Sequence, residues 1–174
     1  GVNSTVSGVG YNLARALTRL GHQVRFVSLI GQDVAAQQVR SALLADGIPG
    51  EDVLAQLERT AQSVILYDAT GRRAIFTDLK DIQQQSYPPE RFEAALAGCD
   101  MAALCNINFS RPFLAAARRA GVPIATDVHT ISTLDDDYNR DFMQSAAVLF
   151  MSDERLPVAP EQWARQVLAR FGAE

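Results

Sequence analysis

The sequence predicts an α/β fold: a mainly parallel, doubly wound sheet with a small antiparallel insert near residues 53–79. Strand-like runs that are apolar throughout alternate with helical runs, which is typical of a parallel sheet covered by helices on both faces. In the middle of the chain, short strand-like runs follow one another with tight turns, which indicates an antiparallel segment. No repeat or linker divides the chain, so we expect a single α/β domain over residues 1–174.

The first elements are predicted to be a helix, a strand and a second helix. Leu13, Leu17 and Leu20 recur at the spacing of one helical face, and Gly21 is placed to end that helix. The run QVRFVSLIG is rich in β-branched residues and predicts a strand. The second helix is expected over about Val34–Ala45, where DGIPG stops it.

The insert consists of the strand-like runs VLAQLERT, SVILYDA and RAIFTDL. The turn ATGRR joins the last two runs, and Gly71 within it can adopt a positive φ. A β-hairpin is therefore predicted here.

The alternation of helices and strands returns after Tyr87. A short helix over Glu90–Ala97 precedes the apolar strand MAALCNI, and Ser110 is placed to cap a helix with Pro112 in its first turn. The strand VPIATDV follows, then a helix over DDDYNRDFMQSA and the strand AVLFMS. Pro160 opens a final amphipathic helix.

Composition and charge argue against several classes of partner. The 16 basic and 20 acidic residues give a net charge of −4 without a basic run, so no nucleic acid is expected. No apolar stretch approaches the roughly 20 residues that span a bilayer, so no membrane partner is expected either. Cys99 and Cys105 are interpreted as reduced thiols, and no Cys/His cluster has metal-ligand spacing.

Gly8 and Gly10 stand just before the first helical run, where a ligand could approach the backbone. A dinucleotide site would need a third glycine and a buried strand before the motif, but GVNSTVS is too polar for such a strand. Two interpretations remain. Either Asn12 and the glycines hold a small polar molecule such as a sugar, with Gly10 also needing a positive φ, or they only form a turn.

Two charged clusters are interpreted as structural. The acids of LDDD, residues 134–137, suit the positive end of a helix better than a metal site. Arg111, Arg118 and Arg119 are expected on a solvated helix face.

Several segments together resemble one family. SGVGYNLARALTRLGHQVRFVSLIGQD and ALLADGI resemble the N-terminal signature of the PfkB, or ribokinase-like, carbohydrate and nucleoside kinases, and SVILYDATGRRAIF, AARRAGVPIATDV and AVLFMSDERL resemble later segments in the same order. The resemblance implies a ribokinase-like fold and ATP-dependent phosphorylation of a sugar hydroxyl, with ATP and Mg²⁺ as cofactors. It also implies that the insert forms part of a lid over the sugar, with a possible homodimer through that lid, in a cytoplasmic protein.

The resemblance assigns substrate contacts to Gly8, Gly10 and Asn12, although Ser7 stands where the family usually has a glycine. Four further candidates follow the ends of predicted parallel strands, where α/β ligands bind: Asn106, Asn108, Asp127 and His129. Turn formation and capping are the alternative for the two asparagines, and a structural hydrogen bond is the alternative for the histidine.

Two departures from the family pattern stand out. Ser152-Asp153-Glu154-Arg155 occupies the place of an Asn-x-x-Glu motif, and an arginine cannot bind Mg²⁺. The Gly-Ala-Gly-Asp element, which supplies an anion hole and the general base in the family, is absent from the 174 residues, so the base is expected beyond Glu174. We therefore expect a partial kinase domain without catalytic residues, with most of the ATP site outside this chain and no activity of its own.

Two other functions stay open. GVGYN and LCNIN resemble segments of nucleoside kinases such as those acting on pseudouridine. Arg155, in place of the glutamate, favours a non-catalytic α/β binding or regulatory module.

Overall fold

A computed structural model describes residues 1–172, which divide into two compact units, one ending at Tyr87 and the other beginning at Pro88. Each unit contains helices and parallel strands, so the α/β class is confirmed. That the two units form one domain stays a prediction. Its expected end, Glu174, lies outside the described residues.

The first unit consists of two helix–strand pairs, then a hairpin and a short 3₁₀ helix. Its elements are α1 (Val9–Arg19), β1 (Ser28–Ile30), α2 (Val34–Ala45), β2 (Val53–Ala55), β3 (Gln62–Tyr67), β4 (Arg73–Asp78) and a short 3₁₀ helix (Ile82–Gln84). β1 pairs parallel with β2, and β3 pairs antiparallel with β4. The antiparallel part of the predicted insert is therefore narrower than residues 53–79.

The first helix forms where it was predicted but buries a different face. Tyr11 and Ala14 are buried in a core shared with Leu43 of α2, whereas Leu13 and Leu20 are 40% and 75% exposed. The leucine spacing identified the helix, but its long-range packing partners select the buried face.

The hairpin has the predicted turn. Asp68 accepts hydrogen bonds from the N–H groups of Thr70 and Arg72, and Gly71 has a φ of 84°. Every residue of β3 and β4 is exposed, so both faces of this two-stranded sheet are uncovered in the described chain.

The second unit contains a three-stranded parallel sheet in the order β5-β6-β7. Its elements are α3 (Pro89–Leu96), β5 (Ala102–Ala103), a 3₁₀ helix (Asn108–Ser110), α4 (Arg111–Arg119), β6 (Ile124–Asp127), α5 (Arg140–Ser145), β7 (Val148–Phe150) and α6 (Pro160–Phe171). Phe92 stacks on Phe113, and Phe142 and Met143 are fully buried. The parallel strands thus lie in two hydrogen-bonded sheets, where a single sheet was predicted.

Two local predictions are wrong. The helix expected from residue 135 begins at Arg140, because the Asp136 carboxylate accepts the N–H of Asn139 and folds the preceding residues into turns. Ser110 stands at the N-cap of α4, but its hydroxyl donates to the carbonyls of Cys105 and Ile107 instead of capping the helix.

Cys99 and Cys105 are both reduced thiols. Within residues 1–172, none of the helices combines the length and apolar character that crossing a bilayer requires.

Candidate functional site

The start of α1 has an open backbone. Gly8 is the N-cap residue, with φ 125° and ψ 151°, and its carbonyl accepts the N–H of Asn12 at 2.9 Å. No side chain caps the helix, so the first N–H groups lack the partner that a capping residue would supply. A Cβ atom added at Gly8 would meet no atom within 4 Å, so the positive φ is what requires glycine within the described chain.

Gly10 has a different role from Gly8. It lies inside the first turn of α1 and has no positive φ, so the expectation of a left-handed conformation at this residue is wrong. Because Gly10 has no side chain, this position adds no atoms beyond the backbone to the surface next to Gly8.

Asn12 points an exposed amide from the same turn. Its Nδ2 atom donates to the Ser7 hydroxyl at 3.3 Å. The serine that replaces a family glycine is therefore a hydrogen-bond partner of the candidate substrate-binding amide.

Tyr11 anchors this turn to the end of α2. Its hydroxyl donates to Asp46 at 2.5 Å, and Arg15 and Arg19 lie 3.5 and 3.3 Å from the same carboxylate. Burial, followed by the Asp46 hydrogen bond, raises the pKa of the Tyr11 hydroxyl, whereas that bond lowers the pKa of Asp46, with help from the arginines. A neutral phenol therefore donates to a charged carboxylate.

Gly31-Gln32-Asp33, the Gly-x-Asp end of the first segment that resembles the kinase signature, connects β1 to α2 and contacts the chain at Thr60. A Cβ atom at Gly31 would lie 2.5 Å from the backbone nitrogen of Thr60, so only glycine fits this crossing. Asp33 caps α2 through the N–H of Ala36 and accepts both the N–H and the hydroxyl of Thr60. The Thr60 side-chain and backbone bonds, then that of Ala36, lower the pKa of Asp33 from 3.8 to about 2. These residues fix the chain just before the hairpin.

In the second unit, Asn106 is held by the segment that precedes α5. Its Nδ2 donates to Oδ1 of the buried Asn139 at 2.8 Å, and its carbonyl accepts the Tyr138 hydroxyl at 2.9 Å. Sequence reasoning named Asn106 but missed both partners, because they lie more than 30 positions away along the chain.

Asn108 accepts a bond from Arg111 at 3.4 Å. The Arg111 guanidinium also pairs with Asp141 and lies 4.9 and 4.8 Å from the ring centroids of Tyr138 and Phe142. Arg111 therefore ties α4 to α5, and the prediction that it lies on a solvated face is wrong.

Asp127 and His129 form a tight turn at the end of β6. Asp127 accepts the N–H of His129 at 2.7 Å, and the His129 carbonyl accepts the N–H of Ser152 at 2.7 Å. His129 has a φ of 58°, which is uncommon for a residue other than glycine, and its side chain is exposed. Backbone strain of this kind persists only where the surroundings fix it, and here the bonds on both sides of His129 do so.

The acidic segments form internal contacts. Asp135 pairs with Arg170, Asp137 pairs with Arg140, and the hydroxyl of Ser152 accepts the N–H of Glu154. Within residues 1–172, no group of three or more His, Cys, Asp or Glu side chains could hold a metal ion.

The structure thus forms two groups of candidates, one in each unit. Gly8, Gly10 and Asn12 share the first turn of α1. Asn106, Asn108, Asp127 and His129 follow β5 and β6, which are adjacent parallel strands, so their carboxyl ends lie at one edge of the sheet.

The position of the general base is not tested by this geometry. It was expected beyond Glu174, and Glu174 itself lies outside the residues that the structure describes. The position of the general base therefore stays a prediction.

Solved structures share this fold. A microbiome-derived acarbose kinase is 23% identical, with a TM-score of 0.82 over 99% of this chain and 60% of its own. A PfkB family carbohydrate kinase from Listeria grayi is 12% identical, with a TM-score of 0.77 over 95% of this chain and 59% of its own. A nucleoside kinase from Burkholderia thailandensis, solved with inosine, is 18% identical, with a TM-score of 0.65 over 95% of this chain and 52% of its own.

The chain therefore spans no more than about 60% of the length of these kinases. A search among curated proteins gave no match. The model of the pfkB family of carbohydrate kinases matches residues 1–119, which is more than half of the chain. With this match and the fold of its structural neighbours, the chain belongs to the pfkB carbohydrate kinase family and has a ribokinase-like fold.

Proposed function

We propose that the protein containing this chain transfers the γ-phosphoryl group of ATP to a hydroxyl group of a sugar. The observation that carries the proposal is the first turn of α1. There Gly8 keeps the backbone open, no side chain caps the helix, and Asn12 points an exposed amide from the same turn. Family membership supports the reaction type.

The turn suits a polyol. Its uncapped N–H groups can donate to hydroxyl oxygens, and the Asn12 amide can both donate and accept, as a hydroxyl group does. A Cβ atom added at Gly8 would meet only open space, so a sugar ring has room to lie against the backbone there. Gly10 likewise carries no side chain.

We also propose acceptor-binding roles for residues at the edge of the second sheet, considered within the second unit alone. Its candidates are Asn106, Asn108, Asp127 and His129. Ligands of parallel α/β sheets bind beyond the carboxyl ends of strands, which is where these residues lie. Asn106 and Asn108 also form hydrogen bonds within the second unit.

The β3–β4 hairpin would act as the lid. A two-stranded sheet is marginally stable in water, and this one exposes apolar pairs on both faces: Val64 opposite Phe76, and Ile65 opposite Ile75. One face would cover the sugar, and the other would meet the same face of a second copy in a homodimer.

ATP would supply the transferred phosphoryl group, as it does in other kinases. Mg²⁺ would accompany ATP, whose site we place mostly outside this chain. The described residues contain no group of three or more His, Cys, Asp or Glu side chains that could hold a metal ion, and Arg155 stands in place of a family glutamate. No residue of this chain is assigned as the general base, which we place in the protein beyond Glu174. We expect the 174-residue chain alone to be inactive and the whole protein to work in the cytoplasm.

A nucleoside is the second candidate acceptor. The segments GVGYN and LCNIN resemble nucleoside kinases, and the fold matches that of the Burkholderia enzyme solved with inosine. A ribosyl group presents the same kind of hydroxyls to Asn12, so the two candidates differ in the acceptor and not in the role of the turn. A non-catalytic binding module, which Arg155 favours, would bind the acceptor without transferring phosphate.

The test uses the full-length protein with the variant Asn12→Ala. Leaving a substrate hydroxyl without its partner costs about 1–3 kcal/mol, so acceptor affinity should fall roughly 5- to 150-fold. ATP affinity should stay the same. Gln166→Ala, which removes an exposed amide from α6, is the matched control and should change neither affinity. If ATP affinity falls instead, the glycines serve a phosphate and the proposal is wrong.

A further inference from the structure

The first turn of α1 lacks the usual means of holding a helix start. It has no side-chain cap, and Gly10 is a weaker helix former than alanine. Val9 and Asn12 are exposed, so neither contributes a buried anchor. A turn of this kind frays unless tertiary contacts hold it.

Tyr11 provides those contacts. Its ring is 7% exposed and belongs to the core of the first unit, and its hydroxyl donates to Asp46, the C-cap residue of α2. The Asp46 carboxylate is only 16% exposed and is held in turn by Arg15 and Arg19. The bond therefore joins the start of α1 to a fixed point 35 positions away.

Tyr11 also lies between the two residues that the proposed site uses. Gly10 precedes it and Asn12 follows it, so a backbone movement that withdraws Tyr11 from the core would also move both neighbours. A binding site loses affinity when the residues that support it allow its contact groups to move by the order of 1 Å.

We propose that Tyr11, through its bond to Asp46, is a positioning residue for the sugar-binding turn at Gly8–Asn12. The inference rests on the function proposed above. Tyr11 itself points into the core and does not touch the acceptor. Its hydroxyl acts by keeping the first turn in one conformation, so that the Asn12 amide is already oriented when the acceptor arrives.

The chain offers a matched control. Tyr87 is also a buried tyrosine of the first unit, and its hydroxyl donates to the carbonyl of Asp52, again 35 positions away. Tyr11→Phe and Tyr87→Phe each remove one such hydroxyl and keep the ring. A comparable loss of thermal stability is expected in both, whereas only the first should affect the turn.

The experiment measures two quantities on the full-length protein and both variants. Hydrogen exchange by mass spectrometry is followed on the peptide covering residues 9–13, where the N–H of Asn12 bonds to the Gly8 carbonyl. Exchange at this bonded amide should become about 10-fold faster in Tyr11→Phe, the size expected for one lost hydrogen bond, and should stay unchanged in Tyr87→Phe. In steady-state kinetics with D-fructose, D-ribose and inosine as acceptors, Tyr11→Phe should raise the acceptor KM about 10-fold. Its kcat and ATP KM should change less than 2-fold.

The inference is overturned if exchange at residues 9–13 responds equally to both variants. It is also overturned if exchange rises while the acceptor KM does not, because the pair would then be merely structural. A wild-type protein that phosphorylates none of the acceptors refutes the proposed function. In that case the exchange comparison still decides whether Tyr11 holds the turn, and an unchanged rate in Tyr11→Phe overturns the inference.

Discussion

At the scale of single residues, Gly31 and Asp33 of the signature have structural roles that require no ligand. Gly31 lets the chain at Arg59 and Thr60 pass the end of β1 at a distance that excludes any side chain. Asp33 then satisfies the N–H and the hydroxyl of Thr60 while it caps α2. These two residues of the kinase signature therefore hold the chain in place just before the β3–β4 hairpin.

Gly31→Ala should destabilise the protein. The added Cβ atom would lie 2.5 Å from Thr60 N and 2.7 Å from the carbonyl carbon of Arg59, and both are backbone atoms that cannot move aside separately. Overpacking of this kind costs about 1–3 kcal/mol, which urea unfolding can measure. The control is Gly50→Ala, whose Cβ atom would make an ordinary 3.7 Å contact with Leu43. Equal stability of the two variants would disprove the account of this junction.

Stability should also depend on the charge of Asp33. Its pKa falls from 3.8 in the unfolded chain to about 2 in the fold, so its contribution is complete above pH about 4 and is lost as the pH falls through about 2. Urea unfolding from pH 6 down to pH 2 checks this expectation. The stability gap between wild type and Asp33→Asn should be widest near neutral pH and should close toward pH 2. A gap that does not change with pH would contradict the hydrogen-bond assignment.

At the scale of elements, the hairpin and α2 follow from local sequence. The apolar spacing and the stop at DGIPG predicted α2 over its observed range, and the turn ATGRR predicted the hairpin. The cap that Asp33 supplies to α2 was not predicted. The face that α1 buries was not, because the choice of Tyr11 over Leu13 depends on partners in α2. The start of α5 was not predicted either, because the Asp136 side chain accepts the N–H of Asn139 and holds the preceding residues in a turn.

The candidate site residues could be predicted from the sequence, but the contacts that orient them could not. The glycines and Asn12 could be found because one motif holds them together in sequence. The contacts that orient them could not, because Tyr11 and Asp46 are 35 positions apart. The same holds for Asn106 and Asn139, which are 33 apart.

The two faces of the hairpin should have different roles. One should cover the acceptor as a lid, and the other should form the dimer interface. Phe76 and Ile75 are neighbours in β4 and therefore point to opposite faces of the sheet. In the full-length protein, aspartate at one of these positions should raise the acceptor KM, and aspartate at the other should convert a dimer into a monomer in analytical ultracentrifugation. If neither variant changes the KM or the molecular mass, the hairpin is neither lid nor interface.

At the scale of the whole molecule, the chain belongs to the pfkB family, and its candidate residues are ones that we propose to bind an acceptor. The chain matches the pfkB family model over residues 1–119 and spans no more than about 60% of the kinases with which it shares its fold. Its candidates are groups that would hold an acceptor. It contains no Gly-Ala-Gly-Asp element for the base and the anion hole.

The 174-residue chain should therefore release no ADP from ATP in the presence of any sugar. The reason is that the proposed contacts orient a hydroxyl group without deprotonating it or stabilising the transferred phosphoryl group. A coupled assay for ADP measures this directly, with the full-length protein at the same concentration as the positive control. Turnover by the purified chain, free of contaminating kinase, would place a base within residues 1–174 and not beyond Glu174.

The measurement closest to the central claim is acceptor-dependent ADP release by the full-length protein across a panel of free sugars and nucleosides. We predict that at least one member of the panel raises ADP release far above the acceptor-free rate. A phosphorylated form of that acceptor should accumulate in an amount equal to the ADP. The Asn12→Ala variant should have a higher KM for that acceptor and an unchanged KM for ATP. Binding of an acceptor with no ADP release would instead identify the protein as a non-catalytic member of its family and would contradict the proposed function.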